Sequence, residues 1–97
     1  LDASINKIPL TFLIDTGASN VLLSYNDAIR IGVNPDELLF NIPHYTANGA
    51  IYTAEITISE IQVGNVYFKD IKAFVIPKDP TNQISILGMT FFEMISS

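Results

Sequence analysis

The chain has 97 residues, of which 48% are hydrophobic, so it is long enough for one domain with a single core. Ten acidic residues against five basic ones give a net charge of -5 at pH 7, which argues against nucleic acid or an anionic membrane surface as a partner. The lack of cysteine excludes a disulfide framework and a thiolate metal site, and one histidine argues against zinc, so no metal is predicted. No stretch has the roughly 18 apolar residues that a membrane span needs.

Alternating apolar and β-branched residues predict a mostly β chain with little helix. The predicted strands cover residues 1–6, 8–14, 20–23, 38–46, 51–58, 61–63, 66–76 and 84–88. Ser24 followed three residues later by Asp27 predicts a helix start, and Gly32 predicts its end, so this helix covers residues 25–31. A second helix is predicted over residues 89–95. Short strands with turns between them favour a closed or sandwiched barrel.

Two turns predict β-hairpins. Asn48-Gly49 lies between apolar runs, which is the strongest local signal for a hairpin, and Gly64-Asn65 predicts a second one. The first hairpin is also a candidate flap, a cover that closes over a ligand and excludes water. A surface hairpin without function is the other interpretation of the same residues.

Asp15 follows directly on the apolar run of residues 10–14 and stands in the sequence Asp15-Thr16-Gly17-Ala18. An acid at the end of a buried strand is partly desolvated, so its carboxylate needs a hydrogen-bond donor or a shared proton. Thr16 offers a hydroxyl to the loop, and Gly17 has no side chain to obstruct a ligand. Asp15 is therefore the candidate catalytic residue, although a turn aspartate that caps its own loop gives the same local pattern.

A second motif, Ile84-Ser85-Ile86-Leu87-Gly88-Met89, begins about seventy residues downstream. Together the two motifs resemble the retropepsin-like aspartic proteases, in which an apolar segment ending in glycine packs against the Asp-Thr-Gly loop before a short helix. The resemblance spans nearly the whole chain, and three segments are similar to the bacterial, single-domain, membrane-anchored branch: residues 24–32, 46–49 and 87–89. It implies a closed β-barrel-like acid-protease fold with one or two short helices and a β-hairpin flap.

The resemblance also implies an aspartic endopeptidase that needs no cofactor. Peptide hydrolysis of this kind needs two nearby carboxyl groups, one to accept a proton from water and one to donate a proton to the carbonyl oxygen; aspartic proteases are the standard example of such a pair. Because the chain has one Asp-Thr-Gly, we expect a homodimer in which Asp15 meets Asp15 of a second copy. Thr16 would brace the opposite loop across the two-fold axis, and Gly17 would offer its carbonyl to a polypeptide substrate.

Ser19 and Asn20 continue the active-site loop and are predicted to hydrogen-bond an extended peptide, as are Asn48 and Gly49 of the hairpin. The resemblance also places four apolar side chains near the substrate: Leu13, Leu22, Ile84 and Ile86. His44 is predicted to be a strand or flap-edge residue without a catalytic role.

The chain departs from the viral members, which usually carry an acid where Ser19 stands and an arginine where Met89 stands. It also ends soon after the second helix, whereas viral enzymes close the dimer with interleaved terminal strands. We expect residues 1–97 to be a single soluble protease domain cut from a longer protein, and the resemblance to the bacterial branch implies that this protein is membrane-anchored. The other functional hypothesis is a non-catalytic module of the same fold that binds an extended segment by strand addition.

Overall fold

The computed structural model describes residues 1–46, 49–78 and 84–96. In this part of the chain the elements are seven strands, two α-helices and a 3-10 helix over Pro35–Glu37. The strands are β1 (Asp2–Ile5), β2 (Ile8–Ile14), β3 (Val21–Leu23), β4 (Ile42–Thr46), β5 (Gly49–Val63), β6 (Val66–Val75) and β7 (Ser85–Leu87). The helices are α1 (Tyr25–Arg30) and α2 (Met89–Ser96).

Six of the strands form a closed barrel in the order β1-β2-β7-β3-β6-β5. Closure occurs where β1 pairs with β5, with Ile5 opposite Ile61, so the barrel has no free edge there. β4 pairs with β5 and extends the sheet beyond the barrel as a hairpin arm. The prediction of a mostly β, barrel-like fold with two short helices is confirmed.

The core follows from the two-residue period of the strands, which turns alternate side chains inward. Buried residues from the six barrel strands and α2 meet in one cluster: Ala3, Ile5, Leu10, Phe12, Val21, Leu23, Ile58, Ile61, Ile71, Ala73, Leu87 and Phe91. A smaller cluster around Ala28, Ala54 and Val75 lies under α1 and the 3-10 helix. The other side chains of β2, β3 and β7 face outward and are not used by this core.

The start of α1 has the predicted cap. The Ser24 hydroxyl accepts a hydrogen bond from the Asp27 backbone N–H at 3.1 Å. The fully buried Ser85 hydroxyl donates to Asp27 Oδ2 at 2.6 Å and accepts from the Ser24 backbone N–H at 2.9 Å. The helix ends at Arg30, one residue before the predicted end, with Gly32 at a φ of +94° just beyond it. These contacts tie α1 to β7, the strand within the second motif.

In two regions the predicted strands differ from the structure by more than one residue at an end. Residues 51–58 and 61–63 were predicted as separate strands, but β5 runs unbroken from Gly49 to Val63. The departure from extended backbone lies in β6, at Asp70, which has a φ of +56°. Aspartate tolerates this left-handed conformation better than most residues. The predicted strand 38–46 begins only at Ile42, because Leu38 and Phe40 pack against the smaller cluster.

Candidate active site

The Asp15 carboxylate lies in a tight loop at the end of β2. The Gly17 backbone N–H donates to Asp15 Oδ1 at 2.9 Å, and the Ala18 N–H donates to the Asp15 carbonyl at 3.2 Å. The Asp15 N–H donates in turn to the Leu87 carbonyl of β7 at 3.1 Å. The carboxylate is half-buried, so it is held by the backbone while it stays accessible to a ligand.

The second motif packs directly against this loop. The Met89 N–H donates to the Ala18 carbonyl at 2.8 Å, and the Thr90 N–H donates to the Ser19 carbonyl at 2.9 Å. These are N–H groups of the first turn of α2, which have no partner within their own helix. The predicted packing of the glycine-ending segment against the Asp-Thr-Gly loop is confirmed.

Gly88 makes this contact possible. A Cβ atom at this position would lie 2.6 Å from the Asn20 carbonyl oxygen and 2.7 Å from the Ala18 carbonyl oxygen. Both neighbours are backbone atoms of the active-site loop, which cannot rotate away as a flexible side chain can. The position therefore requires glycine because of this close approach, and not because of an unusual φ.

A groove of about 750 Å³ opens beside Asp15. Its lining residues are Asp15, Gly17, Ala18, Ser19, Asn20, Leu22, Ile42, Pro43, His44, Tyr45, Ile51, Phe74 and Ile86. The active-site loop forms one side, and the arm of β4 and β5 forms the other. The groove is mostly apolar with a few polar groups near the carboxylate, which is typical of a ligand site.

The structure brings together many of the site residues predicted from sequence. Those that line the groove are Asp15, Gly17, Ala18, Ser19, Asn20, Leu22 and Ile86. The predicted residues that are described but do not line it are Leu13, Thr16, Gly49 and Ile84. Asn48 lies outside the described residues. The groove of a single chain therefore contains part of the predicted substrate surface.

Strand register explains where Leu13 lies. Leu13 pairs with Ile86, Ile86 pairs with Leu22, and Leu22 pairs with Phe74, so the four side chains form one row across the outer face of the barrel. Leu13 stands at the far end of this row from the hairpin arm and is 51% exposed. The row continues the apolar surface of the groove beyond its edge.

Several groove residues were not predicted as site residues: Ile42, Pro43, His44, Tyr45, Ile51 and Phe74. Five of them lie on the two strands of the hairpin that was predicted as a candidate flap, so that prediction could have indicated them. No local sequence pattern marks Phe74 as a site residue. It reaches the groove because β6 pairs with β3, which places Phe74 beside Leu22.

The His44 ring packs against Phe74, with 4.7 Å between the ring centroids and 59° between the ring planes. Burial against this surface lowers the pKa of His44 below its usual 6.5, because it disfavours the charged form. His44 is therefore mostly neutral at neutral pH.

Within the described residues, no three His, Cys, Asp or Glu side chains lie close enough together to hold a metal ion. Nor does any helix in that part of the chain have the length and apolar character needed to cross a membrane.

Comparison with known proteins agrees with this geometry. Residues 1–94 match the model of the family described as "gag-polyprotein putative aspartyl protease". A retropepsin-like aspartic protease from Rickettsia conorii superposes with a TM-score of 0.84 at 35% identity, over 96% of this chain and 68% of that one. The EIAV protease in complex with the inhibitor HBY-793 has a TM-score of 0.80 at 20% identity, over 100% of this chain and 86% of that one, and shows the likeness of fold.

Among curated proteins, an uncharacterised protein from the 5′ region of cobV in Sinorhizobium sp. is 38% identical over 93 residues, which are 96% of this chain and 40% of that protein. An uncharacterised Rickettsia prowazekii protein is 33% identical over 96% of this chain and 39% of its own length. The chain thus spans about two fifths of the curated relatives that it matches. The chain belongs to the retropepsin-like aspartic protease family.

Proposed function

We propose that the chain is an aspartic endopeptidase, active as a homodimer with an Asp15 pair at the two-fold axis. The observation that carries this proposal is the Asp15 carboxylate, held by the Gly17 N–H at the side of an open peptide-sized groove. The likeness in sequence and fold to the Rickettsia conorii retropepsin-like aspartic protease supports the same activity.

The chemistry requires a second carboxyl group. Asp15 is the one carboxylate among the described residues that line the groove. Two carboxyls that share one proton would act together: the ionised group takes a proton from water, whose oxygen attacks the peptide carbonyl, while the protonated group donates to the carbonyl oxygen. The carboxyl group that took the water proton then gives it to the amine nitrogen as the carbon–nitrogen bond breaks, and the other carboxylate takes a proton from the diol oxygen, so the pair again shares one proton. A symmetric dimer supplies both groups from one sequence.

Exposed apolar side chains beside Asp15 support a second copy as the partner. Leu13 and Ile14 of β2, together with Ile84 just before β7, are each about half exposed. All three lie near the active-site loop. Exposed apolar surface of this kind favours an interaction site, because leaving it in water costs free energy. Covering it with a second copy would extend the groove past Leu13 and Ile84, as the predicted substrate surface requires. Thr16 is exposed in the same loop, where it would brace the partner.

The hairpin of β4 and β5 is the proposed flap. Thr46 pairs with Gly49 near its end, and Tyr45 lines the groove although the residue is 84% exposed. A peptide in the groove would lie between this arm and the active-site loop, shielded from water on both sides. Gly49, together with Asn48, is proposed to contact the peptide backbone.

Mixing two forms of the protein tests the shared site. Wild-type chain is titrated with Asp15→Asn chain at constant total concentration, after exchange of subunits. If each site needs both carboxyls, an equal mixture retains about a quarter of the wild-type activity, because random pairing leaves that share of intact pairs.

Independent one-chain sites would instead leave about half of the activity, and that result would contradict the dimer. Titration with Ser59→Ala, which alters an exposed residue of β5 outside the groove, is the matched control and should preserve full activity. Sedimentation of the same mixtures measures the dimer directly.

We also propose a bacterial, membrane-anchored parent protein. The family resemblance supports this localisation, and the chain matches about two fifths of the Sinorhizobium and Rickettsia prowazekii proteins. Fractionation of the full-length protein tests the anchor: we expect it in the membrane pellet, and recovery in the high-speed supernatant without detergent would contradict it.

A further inference from the structure

We propose that His44 is a specificity-determining residue that selects a peptide with an acidic side chain at the subsite between His44 and Phe74. This inference rests on the proposed binding of an extended peptide in the groove.

The position of His44 is the first support. It lies on β4, in the groove wall opposite the active-site loop, and its ring packs on Phe74 at 4.7 Å. In the described part of the chain no hydrogen bond is formed by either of its ring nitrogens. A peptide in the groove would cover the half-buried ring, so an apolar side chain there would leave its N–H without an acceptor. Such a loss costs free energy, which favours a peptide that supplies an acceptor.

The charges around His44 favour a carboxylate as that acceptor. The titratable side chains on the neighbouring stretches are Tyr45 on its own strand, Tyr52 and Glu55 on β5, Lys72 on β6 and Asp15 in the active-site loop. Glu55 and Lys72 pair with each other at 3.9 Å and do not line the groove, and Tyr52 also lies outside it. His44 is thus the basic group of the described groove lining, in a wall otherwise rich in apolar side chains.

A substrate carboxylate would change the protonation of the ring. Burial alone disfavours the imidazolium, but an opposite charge within hydrogen-bond distance favours it and makes the hydrogen bond charge-assisted. The peptide and the proton would therefore bind together. Preference for Glu over the uncharged isostere Gln should grow as the pH falls through the range in which His44 titrates.

The test measures binding in an Asp15→Asn background, which removes both peptide cleavage and the titration of the Asp15 carboxyl. A fluorescent apolar octapeptide carries a single Glu at successive positions, and a matched set carries Gln. At one position we expect Glu to bind about fivefold more tightly than Gln near pH 5.5, and the two to bind about equally near pH 7.5. Fluorescence anisotropy gives the affinities.

Two substitutions of His44 complete the test. His44→Gln keeps a polar group, and His44→Phe keeps a ring against Phe74, but neither can be protonated; both should give equal affinities at both pH values. Equal binding of the Glu and Gln peptides at every position near pH 5.5 would overturn the inference. So would a Glu preference that survives both substitutions, or a lack of binding by any peptide. Cleavage of the same peptides by the chain with Asp15 intact tests the proposed protease activity separately.

Discussion

Asp15→Asn is expected to lower kcat/KM for peptide cleavage by about 10⁴-fold, because an amide can neither accept a proton from water nor share one with a second carboxyl. Asparagine has nearly the same shape and can still accept the hydrogen bond from the Gly17 N–H, so the loop should keep its conformation. Cleavage of a peptide library followed by mass spectrometry measures the loss, and circular dichroism verifies the fold.

The matched control is Asp36→Asn, the same chemical change at an exposed position of the 3-10 helix away from the groove. It should cleave at the wild-type rate. An Asp15→Asn protein that cleaves as well as wild type would remove Asp15 from the mechanism. Tight binding of uncleaved peptides by the wild-type chain, unchanged by Asp15→Asn, would favour the non-catalytic binding module instead.

Gly88→Ala is expected to have the largest effect on stability. The added Cβ would lie within 2.7 Å of backbone atoms of Ala18 and Asn20, so the active-site loop or the start of α2 must move. We expect the free energy of unfolding to fall by about 3 kcal/mol, with peptide cleavage lost, because this loop carries Asp15. Urea denaturation at one fixed protein concentration measures the change, since a dimer's stability depends on concentration.

Gly64→Ala is the matched control, because it tests the cost of an unfavourable backbone conformation without a steric clash. Gly64 has a φ of +59°, and a Cβ there would meet nothing within 4 Å. Its substitution should cost about 1 kcal/mol from the left-handed conformation alone and leave cleavage unchanged. If Gly88→Ala were no more destabilising than Gly64→Ala and still cleaved peptides, the tight contact between α2 and the active-site loop would not be required.

The features that were predictable from sequence depend on residues close together in the chain. Ser24 and Asp27 form a cap three residues apart, and Gly64-Asn65 forms the predicted turn between β5 and β6. The packing of the Gly88 segment on the Asp15 loop is a long-range contact. It was predictable because the two motifs together resemble a known family, not because of any local pattern.

What could not be predicted depends on pairing between distant strands. The parallel pairing of β2 with β7 and of β3 with β6 leaves no periodic trace in the sequence, yet it aligns the apolar row that includes Leu22 and Phe74. His44 gave no local signal of a role because its environment comes from Phe74, thirty residues away. Residues 51–63 were wrongly divided into two strands. The backbone departs from extended geometry at Asp70 of the partner strand β6, with a φ of +56°, and β5 itself is unbroken.

The continuity of β5 has a mechanical consequence. Its first residues, Gly49–Thr53, pair with β4 in the arm, whereas Ala54–Val63 pair with β6 in the barrel wall. One end of the strand is therefore fixed in the barrel wall, and the other end extends over the groove. Its point of support at Thr53 and Ala54 is buried, and the Thr53 hydroxyl donates to the Ile42 carbonyl at 3.1 Å. Packed side chains at the base of the arm therefore resist its bending, so the orientation of the arm over the groove is set by the barrel wall.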